Sequence, residues 1–348
     1  MDLSARIKGI RYKPLLCRKL ETLELKDLGV ALASYGSFIL SVNKDNKVAV
    51  SWWVSAKRTR SYPYARVYDT LGFTGRRIAI IPIFKDEGKE GDRDFLQWDT
   101  ISLMSLLGIY VIIAYYVKAD RSERYRYKIT HQRFDTPYLK DQINNILTYQ
   151  SDALHWNLSH AENAGKIGQK ALAAYELISK DLKIEMHLKR SAEKRVTELL
   201  KSKNDFIKLS RMLAEKAQRR EVLTIQPKEN LAGTKSGITI QNYLGGYYYF
   251  TSDEIEIDKN RVFLIEGKHS KTNSLPSLED IKDALLKMIL FTNLENVTVD
   301  RHNYKSSAVL KLSVENRFSE KKLSKSQKII LSKLKQESKV NNFILRIS

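Results

Sequence analysis

A chain of 348 residues, 43% of them hydrophobic and only six of them proline, is long enough for two or more compact domains and is not a disordered polymer. The formal net charge of +20 points to a polyanionic partner, either nucleic acid or an anionic membrane surface. Cys17, the single cysteine, excludes an internal disulfide framework and cysteine-rich zinc chemistry. With MDLSARIKGIRYKP at its start, charged and lacking an apolar run, the chain is expected to be cytoplasmic and without an export signal.

The stretch 1–135 alternates strand-like and helix-like segments. SFILSVNKDNKVAVSWW predicts a hairpin with Lys-Asp-Asn at its turn, RRIAIIPIF a strand, DFLQWDTISLMSLLG a helix and IYVIIAYYV another strand, an α/β region. Thr100 to Val117 is uncharged for 18 residues, the lower edge of a membrane-spanning helix. Its first half is helix-like and ends in Gly108, whereas its second half is β-branched and aromatic, so a helix feeding a core strand is expected and no membrane span. In WWVSAKRTRSYPYAR, Lys57, Arg58, Arg60 and Arg66 interleave with Tyr62 and Tyr64. Arginines read guanine edges and aromatics stack or wedge, so Lys57, Arg58, Arg60, Tyr62 and Arg66 are candidate DNA contacts; an ordinary basic surface loop is the competing reading.

Between Leu139 and Gln226 there is no proline, and Ala192, Val196, Leu199, Phe206, Leu213 and Ala217 recur at three-to-four-residue multiples. The span 136–225 is therefore expected to be helical, with Gly165 and Gly168 separating helices and a long helix ending near Glu221. Its expected role is packing, with dimer or DNA contacts.

After Pro227 the texture changes. GITIQN and YYYFTSDEIEID are strand-like and separated by YLGG, and a tight turn at Lys259-Asn260 leads into RVFLIEGK. A helix, LEDIKDALLKMILFTNL, follows, capped by Ser277 with Asp280 returning a bond to the cap's amide and with Ile281, Leu285 and Met288 as its core stripe. A strand KSSAVLKLS, a helix near KSQKIILSKLK and a strand NFILRI close this third region, 226–348. The positive charge gathers at the two ends: 12 Lys and Arg against 3 acids over 301–348, and 13 against 6 over 1–70. Such stretches neutralise phosphates without reading sequence.

The apolar strand Val262 to Ile265 ends abruptly in Glu266-Gly267-Lys268. With the hairpin turn at Lys259-Asn260, Asp258 pairs with Arg261 and Asp253 falls opposite Glu266, about 5 Å apart at Cβ. Glu266 and Lys268 share that face because strand side chains alternate, whereas His269 points to the other face and takes a structural role. Two carboxylates so close require a cation, and a hard divalent ion with oxygen ligands, Mg²⁺ above all, is the natural one. The same tripeptide recurs at Glu87-Gly88-Lys89, but there Lys85 and Asp86 separate it from its apolar strand and no hairpin brings a second acid. A polar hairpin rim is the bland alternative for Asp253 and Glu266.

Asp253, twelve intervening residues, then Glu266-Gly267-Lys268 at a strand end before a helix, resembles the PD-(D/E)XK nuclease superfamily. EGKHS, the Ser-Leu-Pro-Ser loop and DIKDALLKMILF look most like type II restriction endonucleases within it. The resemblance covers about a third of the chain, and it departs at Ser252, where a proline is common. It implies a restriction-endonuclease-like core, a central mixed sheet flanked by helices. It further implies Asp253 and Glu266 as ligands of Mg²⁺ with the Gly267 carbonyl, and Lys268 as the group that orients or helps deprotonate water and offsets charge on the phosphorane. An acid from the preceding helix often joins such a site, and Glu198 and Glu215 are candidates that also read as a solvated helix face. The expectation is a Mg²⁺-dependent, sequence-specific double-stranded DNA endonuclease, a homodimer with a DNA methyltransferase encoded nearby. A structure-specific repair or recombination nuclease and a non-catalytic basic nucleic-acid binder are the alternatives.

Overall fold

The structure is a computed structural model and describes residues 2–56, 61–187, 192–194, 196–197, 215, 218–219, 234–242, 247–272, 274–316 and 318–348. The chain opens with strands β1 (Asp2–Ile7) and β2 (Thr22–Glu24), helix α1 (Leu28–Ser34), the pair β3 (Ser37–Ser41) and β4 (Lys47–Trp52), and helix α2 (Ser61–Thr70). Next come β5 (Arg77–Pro82), β6 (Phe84–Asp86), β7 (Arg93–Phe95), α3 (Trp98–Leu106), β8 (Ile109–Ala114), β9 (Tyr116–Arg121) and β10 (Ile129–Phe134). Three helices follow, α4 (Thr136–Thr148), α5 (Ala153–Glu162) and α6 (Ala164–Leu182). The last part holds β11 (Thr234–Asn242), β12 (Tyr247–Asp258), β13 (Arg261–Ser270), α7 (Leu278–Phe291), β14 (Glu295–Val299), β15 (His302–Val314), α8 (Lys325–Val340) and β16 (Ile344–Ile347).

Contacts divide the chain into two compact units that cut across the three expected spans. One is Met1–Lys19, Tyr64–Gly72 and Met212–Ser348; the other is Leu20–Pro63 and Phe73–Arg211. β1, expected among the N-terminal elements, belongs to the first unit because it pairs in parallel with β11, Leu3 beside Ile238 and Ala5 beside Ile240.

In the first unit a mixed sheet runs β13-β12-β11-β1-β14-β15-β16 among the described residues, and β13 also pairs with β15. β12 and β13 form an antiparallel hairpin, and α7 followed by β14 carries the chain over to β15, which lies parallel to β13 with Glu266 beside Leu310. α7 forms as its sequence suggests: the Ser277 hydroxyl oxygen accepts the Asp280 amide at 3.1 Å, and Ile281, Leu285 and Met288 are fully buried. The Asp280 carboxylate accepts the Ser277 hydroxyl at 2.7 Å, where a bond from the Ser277 amide was expected. α8 starts with a full capping box between Ser324 and Gln327 and buries Leu331 and Leu334.

Two polar groups on these helices are buried with their partners. Glu337 of α8 accepts the hydroxyls of Tyr12 at 2.7 Å and Tyr68 at 2.6 Å on Oε1, and the Leu15 amide at 2.9 Å on Oε2. Burial pushes its carboxyl above the usual range, and the phenols and amides offset part of that rise. Lys282 of α7 pairs with Asp69 Oδ1, whose carboxylate also accepts the Arg18 amide at 3.0 Å.

The second unit is built on a mixed sheet ordered β2-β3-β4-β5-β8. The β3–β4 hairpin forms as its sequence predicts, Ser37 opposite Ser51, while β4, β5 and β8 run parallel. The uncharged stretch divides as expected: α3 ends at a turn where Gly108 takes φ 66°, and β8 follows with every residue buried. α3 starts only at Trp98, since Asp94 and Phe95 lie in β7, which pairs with β6. Among the described residues no helix is long and apolar enough to cross a membrane.

Gly165 and Gly168 do not separate helices; both lie inside α6. The breaks fall instead at Asn163 and at Asp152, whose carboxylate accepts the His155 amide at 3.0 Å. A Cβ at Gly168 would stand 2.9 Å from Val196 Cγ2, so that glycine serves close packing. The long helix expected to end near Glu221, and the YLGG turn, lie outside the described residues apart from short pieces of the former.

The outer edge of β8 is closed by side chains. Asn157 accepts the Val111 amide at 2.6 Å and donates to Ile109 O at 2.9 Å, Trp156 Nε1 donates to Val111 O at 2.8 Å, and His160 Nε2 accepts the Ile113 amide at 3.1 Å. α5 thus does for β8 what another strand would do. Accepting an amide requires a neutral ring, and burial holds the His160 pKa down to about 4. Because that value lies below the unfolded one of 6.5, the stability is whole above pH 6.5 and drains as pH falls toward 4. We expect a loss of about 2 kcal/mol at pH 5 relative to pH 7.5. Urea denaturation of the wild type and of His160→Gln at both pH values checks this; an equal pH dependence in the two proteins would refute it.

Candidate active site

The hairpin register is the one its turn dictates. Asp258 lies opposite Arg261, and the ladder continues to Glu254 opposite Ile265. There the ladder stops and the two strands fork, while on its other edge β12 pairs with β11, from Ile255 beside Thr234 to Tyr247 beside Gln241. At the fork, side chains replace the missing ladder bonds. Asp253 Oδ2 accepts the Gly267 amide at 2.9 Å, and the Ser252 hydroxyl lies within bonding distance of Ile265 O at 2.9 Å and Glu254 O at 2.8 Å. A hydroxyl at position 252 therefore does work here that a proline could not.

Glu266 and Lys268 stand on one face of β13, as alternation requires, and both are joined by residues of α7. Lys268 Nζ lies 3.2 Å from Glu266 Oε1 and 2.6 Å from Asp283 Oδ2. Lys287 Nζ lies 2.7 Å from Glu266 Oε2 and 3.5 Å from Thr251 O. The centre is thus three carboxylates and two ammonium groups, in which Glu266 retains 1% of its exposure and Asp253 6%. The two ammonium groups neutralise Glu266 and Asp283, and the Gly267 amide donates to Asp253, which makes such a buried set tolerable.

The two acids of the hairpin are pushed apart in acidity. Burial, and then the charge of Glu266, raises the Asp253 carboxyl to about 7. Burial acts on Glu266 in the same direction, but Lys287 and Lys268 outweigh it and hold that carboxyl below its usual range. Burial opposes the charge on Lys268, yet Glu266 and Asp283 more than compensate, so its ammonium is held above the ordinary lysine range. Burial raises Asp283 despite its lysine partners.

Oxygen donors from two carboxylates suit a hard divalent cation, and the raised Asp253 marks a place where added positive charge would be welcome. Among the described residues there is no group of three or more His, Cys, Asp or Glu gathered as a metal cage. The donor set is therefore an open one of Asp253 and Glu266, with Gly267 between them in the chain and contributing its amide to Asp253.

Asp253, Glu266, Gly267 and Lys268 are thus brought together, while the other candidates are not. His269 turns away to Ser313 Oγ at 3.0 Å and Glu315 at 3.4 Å, as its position on the opposite face implies. Glu215 is half-buried and pairs with Arg219 at 2.7 Å, one helical turn on. Glu198, Lys57, Arg58 and Arg60 lie outside the described residues, as does the side chain of Tyr62; Arg66 is half-buried on α2. The second Glu-Gly-Lys is a loop of a different kind. Glu87 pairs with Lys85 and with Lys128 at 3.2 Å, Lys89 pairs with Glu185 at 2.9 Å, and Gly88 sits at φ 89° with the Tyr127 carbonyl where a Cβ would go. That glycine answers a backbone need.

Asp283 and Lys287 went unread in the sequence, although a signal existed. Lys287 interrupts a run otherwise apolar from Ala284 to Phe291, Asp283 directly precedes that run, and the two are four residues apart on one face. No protein-family model, curated protein or solved structure matches the chain.

Proposed function

We propose that this chain is a Mg²⁺-dependent endonuclease of double-stranded DNA with a PD-(D/E)XK core, of the type II restriction kind. The observation that carries the reading is the convergence of Asp253, Glu266 and Lys268 at the fork of the β12–β13 hairpin. The hairpin, α7 and, after β14, a strand β15 parallel to β13 support the core assignment. Asp253 and Glu266 would hold the ion, with the Gly267 carbonyl as a further oxygen. When bound, Mg²⁺ supplies Lewis acidity toward the scissile phosphate and makes a water molecule more acidic.

The protein's own contribution then falls to Lys268. Glu266 and Asp283 keep its ammonium protonated, so it acts by orienting the attacking water and neutralising charge on the phosphorane, and not as a base. Asp283 fixes where that ammonium stands. The net charge of +20 supplies non-specific affinity for the phosphate backbone. Cutting both strands calls for two such centres and hence a homodimer, and a restriction enzyme in the cytoplasm calls for a methyltransferase encoded nearby.

The test is incubation of the protein with phage and plasmid DNA with and without Mg²⁺. Discrete fragments that need the metal are the expected result. Ragged or structure-dependent cutting would assign a repair nuclease, and retarded but intact DNA would leave only binding.

A further inference from the structure

Lys287 takes no part in the chemistry above, yet it occupies half of the carboxylate that the metal needs. Glu266 is bracketed by two ammonium groups, Lys268 at 3.2 Å from Oε1 and Lys287 at 2.7 Å from Oε2. A divalent cation and an ammonium on the same carboxylate oxygen repel strongly in a water-poor site, so one must yield. Lys268 is the better anchored, since Asp283 holds it at 2.6 Å. Lys287 has other acceptors within its reach. The Thr251 carbonyl is 3.5 Å away, and Asp283 stands one turn earlier on α7, at the spacing and in the order that favour an acid–lysine pair.

We infer that Lys287 is an internal counter-ion of the site, competing with a hard divalent cation for Glu266 and withdrawing toward Asp283 and Thr251 when the cation enters. It thereby sets the metal concentration at which the centre loads. The inference rests on the metal-dependent reading proposed above and adds a residue that governs it.

Mn²⁺ alone, added to the full-length protein without DNA, is a direct probe, because the paramagnetic resonance of the free ion disappears on binding. Lys287→Met should bind Mn²⁺ roughly 10- to 100-fold more tightly than the wild type. Asp253→Asn should abolish binding in both backgrounds. Lys287→Arg keeps the ion pair, with a guanidinium that can grip both carboxylate oxygens, and should bind Mn²⁺ more weakly than the wild type. Equal affinity in wild type and Lys287→Met, still lost with Asp253→Asn, would overturn the competition and leave the metal site standing. No saturable binding by either protein would overturn the metal site itself and the competition with it. Should Lys287→Met fail to fold, tighter binding by Lys287→Arg is the result that refutes the inference.

Discussion

On the nuclease reading proposed above, replacing Lys268 by alanine is expected to slow DNA cleavage by about 10²–10³-fold while leaving DNA affinity within a few-fold of the wild type. The expectation follows from where the ammonium sits. It is held by Glu266 and Asp283 in a buried centre and kept charged by them, so its loss removes a fixed positive charge from where the proposed reading puts the reacting phosphate. Phosphate affinity, in contrast, is spread over the many other cations of the chain. In the variant Glu266 keeps Lys287 at 2.7 Å but buried Asp283 loses Lys268, so urea denaturation of the variant is read beside its rate. Lys268→Arg should not restore the rate, because a planar guanidinium cannot reproduce a compact ammonium between two carboxylates. Initial rates of plasmid nicking, set beside gel retardation without metal, give both quantities. A variant that cuts at near wild-type speed would remove Lys268 from the chemistry.

The largest effect on stability is expected from Asp69→Ala. The side chains of Asp69 and Lys282 keep only 8% and 4% of their exposure. Deleting the acid strands an ammonium in the interior of the first unit, at a cost of about 3–5 kcal/mol. That is a large fraction of the 5–15 kcal/mol that typically holds a domain together. The double variant Asp69→Leu with Lys282→Met should recover most of the loss, since an apolar pair of similar volume escapes the desolvation penalty. Urea denaturation of the two variants decides the matter. A single variant within about 1 kcal/mol of the wild type would show that Lys282 finds water or another acceptor. Lys282 directly precedes Asp283 on α7, so the same measurement reports how firmly the helix that supplies Asp283 and Lys287 is seated.

The half of the site that could be read in the sequence is the half governed by local rules. A two-residue turn and strict alternation fix the hairpin register, and from these Asp253, Glu266 and Lys268 follow without knowledge of the rest of the chain. The cap and apolar stripe of α7 obey local rules as well. What went unread depends on partners distant in sequence. β1 joins a strand more than two hundred positions away, and Tyr68 and Asp69 serve residues of α8 and α7. Charged residues such as Lys282, Asp283 and Glu337 look like solvated helix faces until the groups that neutralise them are known. Gly168 was misread for a related reason: a glycine that breaks a helix and one that admits a neighbouring side chain are identical in the sequence.

The sealing of β8 by Asn157, Trp156 and His160 has a bearing on handling the protein. A bare strand margin is adhesive, and here α5 denies it to any extended peptide from another molecule. As the pH falls toward 4 the imidazole gains a proton and releases the Ile113 amide, which bares a margin along which copies could zip together. Preparations kept above neutrality should stay dispersed, and light scattering that climbs on acidification should do so with the titration of that one ring.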